Sequence, residues 1–204
     1  MTPLLDHVTV AYPDLDDLIL WLQSHTGLTA EFGGTHHGLG TRNATVPLGN
    51  DAYLELIGCD PQRGGDTPAA GQFRTLEVPA PFGWCFRIDT SAFRDQARGA
   101  GVNISEFPVS RTRPDGAVLE WKIVTVNSDF GIAVPYFIDW AGTPTPAVSK
   151  RPAATLLEVT PHHPRPELIN ALFSSLGISS TCQPGAAGLT ISIAGPAGTI
   201  EVGK

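Results

Sequence analysis

Charge is scarce in this chain. Only 16% of the 204 residues are Asp, Glu, Lys or Arg, and 13 Lys and Arg face 20 Asp and Glu, for a net charge of -7. A nucleic-acid partner or an anionic membrane surface needs a basic face, so both are excluded as expected partners. Long apolar runs are missing too, and nothing approaches the roughly 20 residues of a membrane span. The opening Met1-Thr2-Pro3-Leu4-Leu5-Asp6 has no basic stretch followed by an apolar one, so no secretory signal is expected. Cysteine is rare: Cys59, Cys85 and Cys182 are odd in number and widely spaced. That suits reduced thiols in a cytoplasmic protein, and no CxxC pair is present to build a zinc site.

What the chain has in plenty is Gly (22) and Pro (18), against 42% hydrophobic residues. Many turns, short elements and a buried core follow. One pattern recurs: a strand, a capped helix, then further strands. Leu4 to Tyr12 reads as a strand. Asp14 caps a helix whose Leu15, Leu18, Ile19 and Leu22 form an apolar stripe, and Gly27 ends it. Strands follow near Ala30–Gly34, Asn43–Leu48 and Ala52–Cys59, the last two joined by a tight Gly49-Asn50-Asp51 turn. The pattern restarts at Gly83-Trp84-Cys85-Phe86, with a helix capped at Asp89 or Thr90 and a hairpin turn at Arg113-Pro114-Asp115-Gly116. It starts a third time at Thr155. The expected organisation is a first unit over 1–60, a linker over 61–81, a second unit over 82–141, a linker over 142–153 and a shorter, partial third unit over 154–204. Each unit is a sheet with a helix on one face, so the first two pair around a shared cleft. The third either caps them or docks on a second subunit of a homodimer.

Three further runs sharpen this reading. Leu5-Asp6-His7-Val8-Thr9-Val10 followed by a capped helix and then Tyr53-Leu54-Glu55-Leu56 resembles the vicinal-oxygen-chelate superfamily, which includes glyoxalase I, extradiol dioxygenases and bleomycin-resistance proteins. The run from Gly33 to Asn43 (with His36 and His37), Arg111-Thr112-Arg113-Pro114-Asp115-Gly116 with Trp121, and Pro135-Tyr136-Phe137-Ile138-Asp139-Trp140 look like the glyoxalase-like domain group within it. The resemblance spans residues 4 to 140 and implies an α+β fold of tandem βαβββ modules, with a small oxygenated, partly apolar ligand in the cleft.

It also implies site residues. His7 and Glu55 lie on strands that the superfamily makes neighbours, and imidazole with carboxylate suits a divalent metal: Zn, Ni, Mn or Fe. Asp139, on the last strand of the second unit, is the candidate that completes the ligand set, with His36 as the alternative. The matching stretch Pro81-Phe82-Gly83-Trp84-Cys85 holds no His, Glu or Asp. Catalytic candidates are His7, Glu55 and His36. Arg111, Arg113, Trp84, Asn43 and Trp121 are candidates for holding substrate. His37 is an even choice between site and exposed turn, and His162-His163 reads as a turn. Three functions stay open: a metal-assisted lyase, isomerase or dioxygenase; a metal-free protein that sequesters a ligand; and a metal-free enzyme that moves protons with His7 and Glu55.

Overall fold

A computed structural model of the chain describes residues 2–63, 67–146 and 150–203. The first unit runs β1 (Leu4–Ala11), α1 (Leu15–Thr26), β2 (Glu31–His36), β3 (Thr41–Gly49) and β4 (Ala52–Cys59). Asp14 starts α1 by accepting from the backbone N–H groups of Asp16 and Asp17, and Gly27 ends it in the left-handed conformation. Along α1, Leu15, Leu18 and Leu22 are fully buried. They pack on Val8, Val10, Leu54 and Leu56 of β1 and β4. Each such side chain contributes about 1.5–3 kcal/mol, so this one stripe fixes which face of the sheet carries the helix.

A short helix, α2 (Pro68–Phe73), follows. Part of the expected 61–81 linker is therefore helical, and residues 64–66 lie outside the described residues. The second unit runs β5 (Ala80–Arg87), α3 (Thr90–Gly99), β6 (Ile104–Thr112), β7 (Val118–Val126) and β8 (Tyr136–Asp139). Asp89 caps α3 by accepting from Ala92 N–H.

The two units close one eight-stranded barrel in the order β1-β4-β3-β2-β6-β7-β8-β5. Within each unit the first and last strands pair in parallel, His7 beside Tyr53 and Thr9 beside Glu55 in one, Cys85 beside Tyr136 in the other. The units join along a long antiparallel seam between β1 and β5 and a short one between β2 and β6, where His36 faces Arg111.

The remainder forms β9 (Thr155–His163), α4 (Pro166–Ser175), β10 (Gln183–Pro184), β11 (Gly188–Ala194) and β12 (Thr199–Val202). The element order repeats, but the pairing does not: the sheet order is β10-β9-β11-β12, with β9 antiparallel to β11. The expected third copy is thus a repeat in order only. His162 and His163 end β9 instead of sitting in a turn. This sheet shares the core of the barrel's outer face. Phe173 of α4 meets Trp84 edge to face at 5.7 Å, and Ile191, Ile193 and Ile200 join the same apolar cluster as Leu18 and Trp84. No helix among the described residues is long and apolar enough to cross a membrane.

Candidate functional site

Inside the barrel lies a cavity of about 260 Å³. Its walls are mainly aromatic and aliphatic, with Tyr53, Phe82, Trp121, Ile123 and Trp140 among them. A polar cluster occupies one part of the lining: His7, Glu55, Tyr136, Asn43, Arg111 and His36.

His7 is the centre of this cluster. Its Nδ1 lies 2.8 Å from Asp6 Oδ1, its Nε2 2.6 Å from the Tyr136 hydroxyl and 3.7 Å from Glu55 Oε2. The ring stacks on Tyr53 at 4.8 Å. Asp6 and His7 are neighbours on one strand, and alternation would send them to opposite faces. A shift in the β1–β5 register between Leu5 and His7 breaks that alternation. Such a bulge re-aims a side chain, and here Asp6 is fully buried beside His7. Asp6 Oδ2 also accepts from Arg87 Nε and Trp140 Nε1, both at 3.0 Å. Burial, the largest single influence, pushes the Asp6 carboxyl up. The His7, Trp140 and Arg87 donors together outweigh it and hold the group below the usual range. An anionic Asp6 behind Nδ1 fixes the orientation of the ring.

Glu55 is buried beside it. Thr9 Oγ1 donates to Oε2 at 3.1 Å and Asn43 Nδ2 donates to Oε1. Burial again pushes this carboxyl up, and the charges and donors around it more than offset that, leaving Glu55 ionised. His36 is one of those neighbours, but burial drags its own imidazole down to about 4. At neutral pH His36 is therefore uncharged, and the Arg111 guanidinium is a permanent positive charge near Glu55. His36 Nδ1 meets Thr41 Oγ1 at 2.9 Å, and its ring sits edge-on to Trp121. Burial also raises the Tyr136 phenol well above its usual range, so it remains protonated.

Arg111 Nη1 donates to Asn43 Oδ1 at 2.9 Å, extending the network from Glu55 outward. A side chain at Gly33 would place its Cβ 2.4 Å from Asn43 Oδ1 and 2.7 Å from Arg111 Nη1, so the Arg111–Asn43 pair needs glycine there. Gly83 plays the same part on the opposite side: a Cβ there would come within 2.8 Å of the Tyr136 ring.

His7, Glu55, His36, Asn43, Arg111 and Trp121 thus come together around one cavity. Three of the expected residues do not. Asp139 accepts from the backbone N–H of Thr90 at 2.9 Å and of Ala141 at 2.8 Å, tying the end of β8 to the start of α3. Tyr136, Ile138 and Trp140 line the cavity, so alternation turns Asp139 away from it. Trp84 is in the outer core, donating to Ile132 O at 3.2 Å. Arg113 pairs with Asp115 at the hairpin, 3.2 Å apart. His37 is exposed and bonds Thr112. Asp6, Thr9 and Tyr136 are the members that sequence reasoning missed. Tyr136 was findable, because it stands on the last strand of the second unit as Glu55 does on the last strand of the first.

The divalent metal implied by the superfamily does not fit these donors. The first unit offers His7 and Glu55, whereas the matching positions of the second are Gly83 and Tyr136. Both His7 nitrogens and both Glu55 oxygens already have protein partners. Among the described residues no three His, Cys, Asp or Glu side chains are grouped to hold an ion, and Asp139, expected to complete the ligand set, faces elsewhere.

Comparison with known proteins agrees with this architecture. The sequence profile of the glyoxalase-like domain family matches residues 5–177. The chain belongs to the glyoxalase-like domain family. The match places it in the vicinal-oxygen-chelate superfamily and extends past the barrel through α4. A hypothetical protein from Staphylococcus aureus is similar in structure over 98% of this chain and 85% of its own, at 14% identity and a TM-score of 0.68. A methylmalonyl-CoA epimerase bound to methylmalonyl-CoA and NH4+ is similar over 72% of this chain and all of its own, at 18% identity and a TM-score of 0.51. A variant of the Streptomyces coelicolor methylmalonyl-CoA epimerase in complex with 2-nitronate-propionyl-CoA gives the same values. No protein of curated function matches the chain. At these identities the likeness is one of fold.

Proposed function

We propose that this glyoxalase-like protein binds a small, mostly apolar carbonyl compound in the barrel cavity and moves a proton on it without a metal. The observation that carries this reading is the Tyr136 hydroxyl 2.6 Å from His7 Nε2, with Asp6 behind the ring and Glu55 beside it. An acid and a base meet in direct hydrogen-bond contact at the wall of an apolar cavity.

The chemistry follows from the hydrogen bonds. With His7 neutral, Nδ1–H donates to Asp6 and Nε2 accepts from Tyr136. A substrate carbonyl that takes the phenol proton's hydrogen bond frees Nε2. Nε2 then removes a proton from the carbon next to that carbonyl, and the C–H electron pair passes to the oxygen as an enolate. Tyr136, still protonated, stabilises that oxygen by hydrogen bonding. The imidazolium is stabilised by Asp6 and Glu55. Return of the proton to either face or to a neighbouring atom gives an epimerase or isomerase. Proton transfer at carbon suits an epimerase, and epimerases share this fold, which supports the reading at the level of analogy. Asn43, Arg111 and Trp121 line the ligand's path, and His36 presents a neutral ring.

A second reading has its own support. The aromatic lining would hold a flat apolar molecule even with no reaction, as a sequestering protein does. Deuterium exchange separates the two. Aryl ketones and 2-oxo acids with an acidic C–H are incubated with the protein in D2O and followed by proton NMR. Exchange that falls about 10²–10⁴-fold in His7→Ala supports general-base catalysis. Exchange that persists in His7→Ala sinks it, and ligand binding with no exchange in the intact protein supports sequestration instead.

A further inference from the structure

A second hollow, of about 350 Å³, adjoins the barrel cavity, and Arg111 lines both. Its other walls include Arg113, Thr145 and Lys150. Two observations there are independent. First, Arg111 is only 4% exposed, yet no carboxylate lies within ion-pair distance of it among the described residues; its one hydrogen bond goes to the Asn43 amide oxygen, and its Nε has no acceptor. Glu55 is near enough to act on it through space, but a buried guanidinium with no carboxylate in contact is costly to keep. Second, Thr145 is 8% exposed, and its hydroxyl has no partner among the described residues. Two residues that each carry a buried, orphaned donor therefore line one hollow. Arg113 and Lys150 add positive charge, and their present partners, Asp115 and Glu31, are half-exposed or more. Exposed pairs of this kind are weak and readily exchanged for another anion.

We propose that this hollow binds one anionic group, a carboxylate or phosphate, with Arg111 Nε and the Thr145 hydroxyl donating and Arg113 and Lys150 closing over it. Because Arg111 is the shared wall, the group belongs to the molecule whose reacting end lies in the barrel cavity. The ligand class is then an elongated acid: a carbonyl at His7, an apolar middle and an anionic end past Arg111. This step rests on the barrel cavity being a ligand site, but the hollow can be tested alone.

Inorganic phosphate and acetate are titrated separately into the full chain and followed by amide and side-chain NMR. Saturable shifts at Arg111 and Thr145 with either ion are expected. Loss of one charge-assisted bond weakens binding by about tenfold, so Thr145→Val and the double variant Arg113→Ala, Lys150→Ala should each weaken it at least that much. Thr145→Val should also raise the melting temperature, since it removes an unpaired buried hydroxyl. His7→Ala should leave phosphate and acetate binding unchanged, so the hollow stands even if the proton-transfer reading fails. No saturable shift with either ion, or binding that both variants leave intact, overturns the proposal. Stronger response to phosphate than to acetate assigns a phosphorylated ligand, and the reverse assigns a carboxylic acid.

Discussion

On β1 the run Asp6-His7-Val8-Thr9 brings an anion, an imidazole and a hydroxyl to the barrel interior. On β5 the matching run Phe82-Gly83-Trp84-Cys85 brings a ring, an absence and a thiol. Burial pushes the Cys85 thiol far up, so it is no nucleophile there. The parallel partner of the first strand carries Glu55, and that of the second carries Tyr136. One half has kept hydrogen-bonding and charged groups, the other has made room for a phenol. What this teaches is that the halves are not two weak copies of one metal site. They are complementary, with an imidazole and carboxylates on one side and a protonated phenol on the other, joined by the Tyr136–His7 bond.

The comparison can be broken most severely at Asp6. Asp6→Ala would leave Arg87, Trp140 and His7 without their shared acceptor, and removing one partner of a buried ion pair costs about 3–5 kcal/mol. Urea unfolding measures it. A loss under about 1 kcal/mol would mean that Asp6 does not anchor the first half.

Acid should act next most strongly, again on the first half. Folding holds His36 at about 4, against an ordinary value near 6.5. As pH falls below about 6.5 the unfolded chain takes up a proton that the folded chain refuses, so stability drops, and the drop levels off below about 4. The full loss is about 3 kcal/mol, of which about 2 kcal/mol is reached at pH 5. Unfolding at pH 7 and pH 5 should show that His36→Gln lacks this part of the loss. Asp6 and Glu55, both held below their usual range, add a further loss at lower pH still.

On the second half, Gly83→Ala drives a methyl group into the Tyr136 ring. Overpacking of this kind costs about 1–3 kcal/mol, and the displaced phenol should leave His7. Tyr136→Phe removes the same bond with no change of shape and should cost only about 1 kcal/mol of stability. If Gly83→Ala and Tyr136→Phe lower deuterium exchange alike while differing in stability, the glycine serves to admit the phenol. Equal stability with unequal exchange would separate the two roles. The smallest effect should come at the hairpin, where Asp115→Ala breaks an exposed pair with Arg113 worth at most about 1 kcal/mol.

Much of the fold was legible because it is written in local signals. Asp14 and Asp89 cap their helices, Gly27 stops α1, and Asn50 and Asp51 take the left-handed backbone of the predicted turn. His7 and Glu55 were legible through the family's pattern, and so was their shared cleft. The remainder depends on events that no local pattern encodes. A bulge turned Asp6 inward, where strict alternation would send it out. The same alternation, followed correctly along β8, turned Asp139 out and Tyr136 in, but its phase is set by pairing with β5 and not by the sequence of β8 alone. The third unit kept the element order and changed partners, because strand pairing there answers to the outer face it must cover.

The placing of β1 carries a kinetic consequence. Its two neighbours, β4 and β5, meet His7 through Tyr53 and Cys85, residues far along the chain. Neither pairing is a hairpin, so β1 gains a partner only when a strand far along the chain reaches it. Closing such long loops before any contact rewards it makes folding slow. Asp6 and His7 therefore come together with their partners late, in the same event that closes the barrel. A chain held short of that step would have its helices and hairpins but no site at all.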